Sequence, residues 1–326
     1  MTTTIKDSGL VYTPTEIANI GTTYIGKRRT DKDNGIPIGI DSLDCDFNKL
    51  LPGELVSIIA RPGNGKSGFM MRWARTRAKW LQDNGIENKI VVYATWEQSV
   101  EELHAFNVAA EQGISITKMS RGEIRDDEWD KVLNYVSTRI QLPLWFIGHS
   151  VERRTKRPAM TVTALEGALR DIEGWNEYER KIDCIFVDYL QRVKFDGSVE
   201  SKTIGTSDVL DRLKDMSLSF SCPVVTGVQA TRDVDKWDLP IPTMDSGQWT
   251  SNVEQASDKV ITLVRPRKYR GEGDLFGDVV VQGDLQMLVT IAKQKLGKDN
   301  WAKWVSFDPV YNRLDEMELR NAIGGE

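Results

Sequence analysis

The sequence predicts an α/β fold in which helices flank a mostly parallel central sheet. Apolar runs of strand length alternate with segments whose apolar residues recur at helical spacing. Several of these runs are apolar throughout, above all "KIDCIFVDYLQ" (181–191), and strands of that kind are buried on both faces of a parallel sheet. A glycine-rich turn after the first strand run opens the first long helix of this pattern.

The elements follow in order along the chain. Residues 1–34 are predicted to be a polar arm with one short helix at "PTEIANIGTTYIG", because they hold too few apolar residues to enclose a core. A single large domain is predicted for residues 35–326. Its predicted strands are 53–60, 89–97, 142–148, 181–191, 222–230, 258–266 and 285–295. Its predicted helices are 66–85, 99–113, 161–175 and 206–220. Stretches with few apolar residues are predicted to be surface loops after strand ends, at 194–208, 231–252 and 265–284.

Composition narrows the class of protein. The 326 residues are 40% hydrophobic and 28% charged, as in a globular domain. The net charge of −5 argues against a uniformly basic surface, although a local basic loop can still bind nucleic acid. No run approaches 18 apolar residues and the first residues lack a signal-peptide pattern, so we expect a cytoplasmic protein without a membrane partner. The widely spaced Cys45, Cys184 and Cys222 adjoin apolar runs and are predicted to be buried thiols.

The glycine-rich turn "ARPGNGKS" (60–67) has the composition of a phosphate-binding loop. Such a loop needs converging backbone N–H groups, a lysine for the β- and γ-phosphates and a hydroxyl for Mg²⁺. Lys66 and Ser67 supply the last two, and Ala60 replaces the usual first glycine at the strand end, where a methyl group is a small steric change. We therefore predict a nucleotide site for ATP or another NTP with Mg²⁺. The residues predicted to bind nucleotide are Arg61, Pro62, Gly63, Asn64, Gly65, Lys66, Ser67 and Gly68.

Polar residues that end three later strands are candidates for the same site. Asp188 ends "CIFVD", where a carboxylate can hold Mg²⁺ together with Ser67. Glu97 ends "VVYATWE", where it could polarise an attacking water, and Gln229 ends "PVVTGVQ", where it could sense phosphate. A lone Glu or Gln after a strand is also commonplace, so these two residues taken alone leave a structural role open.

Further motifs occur in the same order as in a known family. These are "GIPIGIDSLD", "LLPGELVSIIARPGNGKS", "WEQSVEEL", "DYLQ" (188–191), "PVVTGVQATR", "VEQASDKVI" and "IAKQKLGK". Together, over roughly residues 35 to 315, they resemble the ATPase domain of DnaB-type replicative helicases. "DYLQ" is distinctive of that family within the larger RecA-like class.

The resemblance implies a RecA-like P-loop NTPase that forms a homohexamer and hydrolyses ATP between subunits. It would move 5′ to 3′ on single-stranded DNA. Lys66, Ser67, Glu97, Asp188 and Gln229 would take the roles given above.

The resemblance also assigns a role in the neighbouring site to a pair of lysines. Lys293 and Lys295, in "AKQK", match the family's trans-acting Lys-x-Arg pair, which stabilises charge in the transition state. Lys295 stands where the family has an arginine, so the charge is kept and the bidentate fork is lost. Taken alone, "KQKLGK" is typical of a solvated basic turn.

DNA contacts are expected from loops after the strands that end in Asp188 and Gln229, which hold backbone phosphates in this family. The second loop departs from the family's Arg-Glu-Ser-Gly-Ser stretch, and Trp249 would either stack on a base or anchor the loop. The cluster "RPRKYR" (265–270) would be an exposed hairpin flank or a contact with a base or DNA. Residues predicted to contact DNA are Lys194, Lys202, Arg232, Ser246, Gly247, Gln248 and Trp249.

The short arm differs from the helical, primase-binding domain that usually precedes this ATPase domain. We expect the arm to dock on an adjacent subunit, and the protein to be a minimal helicase of a phage, plasmid or other mobile element, with a primase or loader as a further partner. Two alternatives remain open. One is a RecA/KaiC-like ATPase that assembles filaments or rings without separating strands, and the other is a nucleotide-gated DNA-binding platform.

Overall fold

The computed structural model describes residues 12–31, 33–153, 160–175, 180–190, 193, 202–246 and 251–317. The chain divides into two compact units, Met1–Ile36 and Pro37–Glu326. Each is described by itself below.

The first unit contains one long helix, α1 (Pro14–Thr30). Thr13 caps it, because its hydroxyl accepts the Glu16 N–H while the Glu16 carboxylate accepts the Thr13 N–H at 2.7 Å. The helix extends past the predicted stretch "PTEIANIGTTYIG", and none of its residues is buried within the chain. Its large exposed apolar side chains are Ile17, Ile20, Tyr24 and Ile25. That the arm docks on an adjacent subunit stays a prediction.

The second unit is built around a nine-stranded sheet in the order β11-β10-β9-β6-β1-β5-β4-β2-β3. Its strands are β1 (Leu55–Ala60), β2 (Lys89–Thr95), β3 (Leu144–Ile147), β4 (Lys181–Asp188), β5 (Val224–Gln229), β6 (Lys259–Val264), β9 (Gln286–Gln294), β10 (Trp301–Asp308) and β11 (Arg313–Glu316). β7 (Leu275–Phe276) and β8 (Val279–Val280) form a separate small hairpin. The helices are α2 (Asp41–Asp44), α3 (Lys66–Asp83), α4 (Val100–Gln112), α5 (Ile116–Arg121), α6 (Asp126–Arg139), α7 (Val162–Gly174), α8 (Lys202–Ser219) and α9 (Ser251–Ala256).

Parallel pairing runs through the six strands from β6 to β3, and β9, β10 and β11 are antiparallel. The prediction of a mostly parallel sheet flanked by helices is confirmed. Because the parallel strands share one direction, β1, β2, β4 and β5 all end at the same edge of the sheet, and this edge carries the residues of the candidate site.

Both faces of the sheet are covered, as the wholly apolar strands predict. On one face, Leu165 and Leu169 of α7 and Leu210 and Leu213 of α8 join a core with the strand residues. On the other face, α3 places Trp73 edge-on to Phe186 of β4, with ring centroids 6.1 Å apart. This packing fixes α3, and therefore the turn that precedes it, against the centre of the sheet.

Some elements differ from the predictions. α5 and α6 fill a stretch for which no element was predicted, and α8 begins at Lys202, inside the predicted loop 194–208. Cys45 is exposed, so its prediction as a buried thiol is wrong, whereas Cys184 and Cys222 are buried. Within the described ranges, no helix is both long and apolar enough to span a membrane.

Candidate functional site

A cavity of about 420 Å³ opens where β1 and β5 end and α3 begins. Seven residues of the predicted phosphate loop line it, together with Glu97 and Gln229. The loop residues are Arg61, Pro62, Gly63, Gly65, Lys66, Ser67 and Gly68. Side chains that the sequence places far apart are therefore brought to one opening at the carboxyl edge of the sheet, where α/β sheets bind their ligands.

The turn before α3 has the backbone shape of an anion cradle. Gly65 has a φ of 84° and caps the helix, and a Cβ at this position would lie only 2.4 Å from Met287 Cε. Phe69 N–H is bonded to Gly65 O at 2.9 Å, so the amides of residues 66–68 precede the first hydrogen bond of the helix. Free amides and the positive end of an 18-residue helix suit a phosphate group.

Asn64 shapes this turn from behind. Its side chain is buried, and its Oδ1 accepts the N–H of Arg265 at 2.7 Å. Its Nδ2 lies 3.3 Å from both the Arg61 carbonyl and the Tyr269 hydroxyl. The Arg265 guanidinium in turn lies 3.3 Å from the Gly63 carbonyl. The Asn64 side chain thus holds the loop to the segment after β6, and its contact with nucleotide stays a prediction.

Lys66 is directed at the end of β4. Its ammonium group lies 3.2 Å from Oδ1 of the fully buried Asp188 and 4.1 Å from the centroid of the Tyr189 ring. The other carboxylate oxygen accepts the Tyr93 hydroxyl at 2.8 Å. Burial, followed by the adjacent negative charge of Asp188, raises the pKa of Tyr93 well above its ordinary value, so Tyr93 stays a hydrogen-bond donor. Both oxygens of Asp188 are therefore oriented before any ligand enters.

Gly227, in the middle of β5, makes room for this lysine. A Cβ at residue 227 would lie 2.9 Å from both Cδ and Nζ of Lys66. A larger residue here would require the Lys66 side chain to shift.

The rest of the cavity wall contains both polar and apolar side chains. Ser67 lies beside Lys66, and Glu97 is exposed at the rim. Asp188 and Ser67 offer one carboxylate and one hydroxyl, a donor set that suits Mg²⁺, because this ion keeps several waters and takes its other ligands from phosphates. The cavity is also lined by the apolar side chains of Phe106, Ile116, Phe307 and Pro309, and Phe307 packs against Gly65 and Gly68 of the phosphate loop.

Lys293 and Lys295 lie at the other edge of the sheet. Lys293 pairs with Val260 at the start of β6, next to Lys259, which pairs with Val56 of β1. The phosphate loop begins after Ala60, four residues further along β1, roughly 13 Å away at about 3.3 Å per residue. Lys293 donates to the Glu254 and Ser257 carbonyls at 2.6 and 2.8 Å.

Lys295 is paired with Asp258 at 3.5 Å, and its side chain is 66% exposed. Within a single chain, these two lysines are therefore far from the phosphate loop. This position is compatible with their predicted action on the site of a neighbouring subunit.

The predicted DNA residues fall partly within the described chain. Arg232 is exposed at the start of a 3-10 helix, Arg232–Lys236. Ser246 is buried, and its hydroxyl bonds to the Thr243 N–H and carbonyl at 2.8 and 2.7 Å. This hydroxyl closes its own loop, and the contact of Ser246 with DNA stays a prediction. The other predicted positions, Lys194, Gly247, Gln248, Trp249 and the side chain of Lys202, lie outside the described residues.

Several residues of the site were not predicted from the sequence as members of it, among them Gly227, Phe307 and Arg265. Gly227 and Phe307 have no motif of their own, and Arg265 was noted only as part of a basic cluster. The sole signal for Gly227 is a glycine inside an otherwise β-branched strand, which indicates a close approach of another group.

Comparison with known proteins agrees with this geometry. Residues 35–316 match the family described as DnaB-like helicase C terminal domain. The replicative DNA helicase DnaB of Leifsonia xyli subsp. xyli is 23% identical over 292 residues, which cover 89% of this chain and 58% of that protein. The DnaB of Geobacillus stearothermophilus is 22% identical over 293 residues, which cover 90% of this chain and 59% of that protein. The chain thus spans a little over half the length of these relatives.

Solved structures confirm the fold. One that is described as an ATPase domain superposes with a TM-score of 0.76 at 20% identity, covering 92% of this chain and 98% of that one. A DnaB-like replicative helicase, described with its interactions with primase, gives a TM-score of 0.75 at 20% identity, covering 93% of this chain and 67% of that one. The predicted RecA-like fold is confirmed by these matches together with the strand order. The chain belongs to the DnaB-like helicase C-terminal domain family.

Proposed function

We propose that this chain is the motor domain of a DNA helicase that hydrolyses ATP between the subunits of a homohexamer, moves 5′ to 3′ on single-stranded DNA and unwinds duplex during replication. The observation that carries the proposal is the contact of the buried Asp188 with Lys66, which lines the cavity together with Glu97 and Gln229. The family membership and the relatives described as replicative helicases support it. Such a protein would act where DNA is copied, in a bacterial cytosol or a phage-infected host, with a primase or loader as a further partner.

The residues of the cavity divide the work of hydrolysis among them. The loop amides and the Lys66 ammonium group bind and orient the phosphates. Ser67 and Asp188 would hold Mg²⁺, which when bound neutralises charge on the phosphate oxygens. Glu97, an exposed carboxylate at the rim, accepts the proton of the attacking water.

Three further residues connect hydrolysis to DNA and to the neighbouring subunit. Gln229 ends β5 between the cavity and the loop predicted to bind DNA, so it can respond to the presence of the terminal phosphate. Lys293 and Lys295 of one subunit would stabilise transition-state charge in the site of the next, because within one chain they lie at the opposite edge of the sheet.

The test is ATP hydrolysis with and without single-stranded DNA, together with unwinding of a forked duplex. Wild type should hydrolyse ATP, respond to DNA and unwind the fork. Lys66→Ala and Glu97→Gln should each lose about a hundredfold or more in hydrolysis, the cost of removing one preorganised catalytic group. Lys79→Ala is the matched control, because Lys79 is exposed further along the same helix.

The outcomes separate the candidate functions. Hydrolysis without unwinding would exclude the helicase and favour an ATPase that assembles rings or filaments. Nucleotide binding without turnover in the wild type would favour a nucleotide-gated platform.

A further inference from the structure

Arg61 of the phosphate loop is clamped by a residue of another segment. Its Nε lies 2.9 Å from Oδ1 of Asp235, and its Nη2 lies 2.6 Å from Oδ2, so the two groups meet as a bidentate fork. Its Nη1 donates to the carbonyl of Ala230 at 3.0 Å. The guanidinium group is thereby tied to both ends of the short stretch 230–235, and such two-point pairs fix direction as well as distance.

Asp235 shares a rigid support with a predicted DNA contact. Asp235 and Arg232 belong to the same five-residue 3-10 helix, Arg232–Lys236. Val234, between them, is fully buried in the main core. Because Val234 fixes this short helix to the core, Arg232 and Asp235 are held close together on one support. A change at Arg232 can therefore be felt at Asp235.

The loop that follows is closed on itself. The Thr231 N–H donates to the Ser246 carbonyl at 2.8 Å, so the two ends of the stretch 231–246 are joined. Arg270 Nη2, from the segment after β6, donates to the Asp238 carbonyl at 2.6 Å. A strand of DNA that displaces this loop therefore acts on a closed unit. One connection from that unit to the phosphate loop is the pair of Asp235 and Arg61, and Tyr269, which bonds to both Asp235 and Asn64, lies beside it.

We propose that Asp235 is a positioning residue that couples DNA binding at the loop after β5 to ATP turnover at the phosphate loop, through the fork it forms with Arg61. The inference rests on the proposed function, since it requires that this loop meets DNA. It adds a second route from DNA to phosphate beside Gln229, one that acts on the start of the phosphate loop. The side chain of Asp235 is 38% exposed and that of Arg61 is 13% exposed, so the contact can rearrange without opening the core.

The experiment measures ATP hydrolysis by the full chain with and without single-stranded DNA and reports the ratio of the two rates. Asp235→Asn keeps the shape and removes the charge. It should lower this ratio at least about fivefold, a typical lower value for coupling between sites, while the rate without DNA stays within about twofold. Asp235→Glu should restore the ratio. The matched control is Asp233→Asn on the same 3-10 helix. Among the residues described, Asp233 is paired only to the exposed Lys236, at 2.7 Å, so this variant should leave the ratio unchanged.

Two further readouts keep the test independent of folding effects. Arg61→Lys, which loses the fork, should lower the ratio, and its combination with Asp235→Asn should lower it no further, because each change alone already breaks the fork. The coupling should also appear in binding: a non-hydrolysable ATP analogue should raise the affinity for single-stranded DNA in the wild type and raise it less in Asp235→Asn.

The failures are distinguishable. A wild-type protein that DNA does not stimulate overturns the proposed function, and the coupling with it. A stimulated wild type with an equally stimulated Asp235→Asn overturns the coupling alone. So does a variant whose rates with and without DNA fall by the same factor, because Asp235 would then only support the nucleotide site.

Discussion

The ammonium group of Lys66 reaches Asp188, at 3.2 Å, because Gly227 on the neighbouring strand has no side chain in its path. Three separate parts of the sequence meet at this contact: the start of α3, the end of β4 and the middle of β5. The parallel register that places Gly227 beside Ile58 of β1 brings these parts together.

Gly227→Ala should therefore weaken nucleotide binding while the fold is kept. The added methyl group would lie 2.9 Å from Cδ and Nζ of Lys66, so the lysine must shift away from the position in which it meets Asp188. We expect at least about a tenfold loss of ATP affinity, which corresponds to about 1.4 kcal/mol, measured by titration calorimetry. Gly167→Ala, on α7 with no atom within 4 Å of its Cβ, is the control and should leave affinity unchanged. Unaltered affinity in Gly227→Ala would contradict the steric role of this glycine.

Lys295 should act on the site of the neighbouring subunit. Lys295→Ala should lower hydrolysis by about a hundredfold, the cost of one preorganised charge donor, and Lys295→Arg should raise it, because the guanidinium fork binds phosphate at two points. An equal mixture of Lys66→Ala and Lys295→Ala chains should be more active than either alone. At some interfaces, the intact Lys295 of a Lys66→Ala chain then meets the intact Lys66 of a Lys295→Ala chain.

The measurement is steady-state ATP hydrolysis as a function of the mixing ratio. The control is a mixture of Lys66→Ala with Lys298→Ala. Lys298 is exposed in the same turn as Lys295, so the Lys298→Ala chain should behave as wild type. If mixing the Lys66 and Lys295 variants restores no activity, Lys295 does not act in trans.

A buried ion pair near the start of β1 and β6 should matter for stability. Lys259 and Glu54 are both buried and form a short contact, and Glu54 also accepts the Leu51 N–H at 2.9 Å. Lys259→Met leaves a buried carboxylate without its cation and should lower the free energy of unfolding by about 3–5 kcal/mol. Adding Glu54→Gln should recover most of that loss.

Urea unfolding followed by tryptophan fluorescence measures both effects. The exposed pair Lys236 and Asp233 is the control, since Lys236→Met should change stability by less than about 1 kcal/mol. A similar loss in both single variants would show that burial is not what makes the first pair important.

The thiols should differ sharply in reactivity. Cys45 is exposed, whereas burial raises the pKa of Cys184 and Cys222 and so lowers the fraction of reactive thiolate at pH 8. An aromatic disulfide reagent should label one thiol per chain rapidly in the native protein and three in denaturant. Cys45→Ser should abolish the rapid phase, and rapid labelling of a second thiol would contradict the packing around β4 and β5.

The sequence predicted the parallel part of the sheet because its strands are short apolar runs separated by helices of clear periodicity. α6 was not predicted, since "DDEWDKVLNYVSTR" is mostly polar and buries only Glu128 and Tyr135. β10 and β11 were also missed, because few of their residues are buried: Val305 and Phe307 in β10 and Leu314 in β11.

For the site, the phosphate loop and the acid at the end of β4 could be predicted because each is a local motif next to a strand end. Gly227 and Phe307 could not be predicted, since their roles depend on which side chains approach them across the sheet. The same limit applies to the bonds of the Ser246 hydroxyl with Thr243, which no local motif indicates.

The hydrogen bonds of Asn64 also bear on how fast and how tightly a nucleotide binds. Because this side chain already ties the phosphate loop to Arg265 and Tyr269, the loop is held in its shape before a ligand arrives. Little conformational entropy is then left to lose on binding, so most of the interaction energy with the phosphates can appear as affinity. The loop should behave as a preformed receptor, with association limited by diffusion into the cavity rather than by a folding step of the protein.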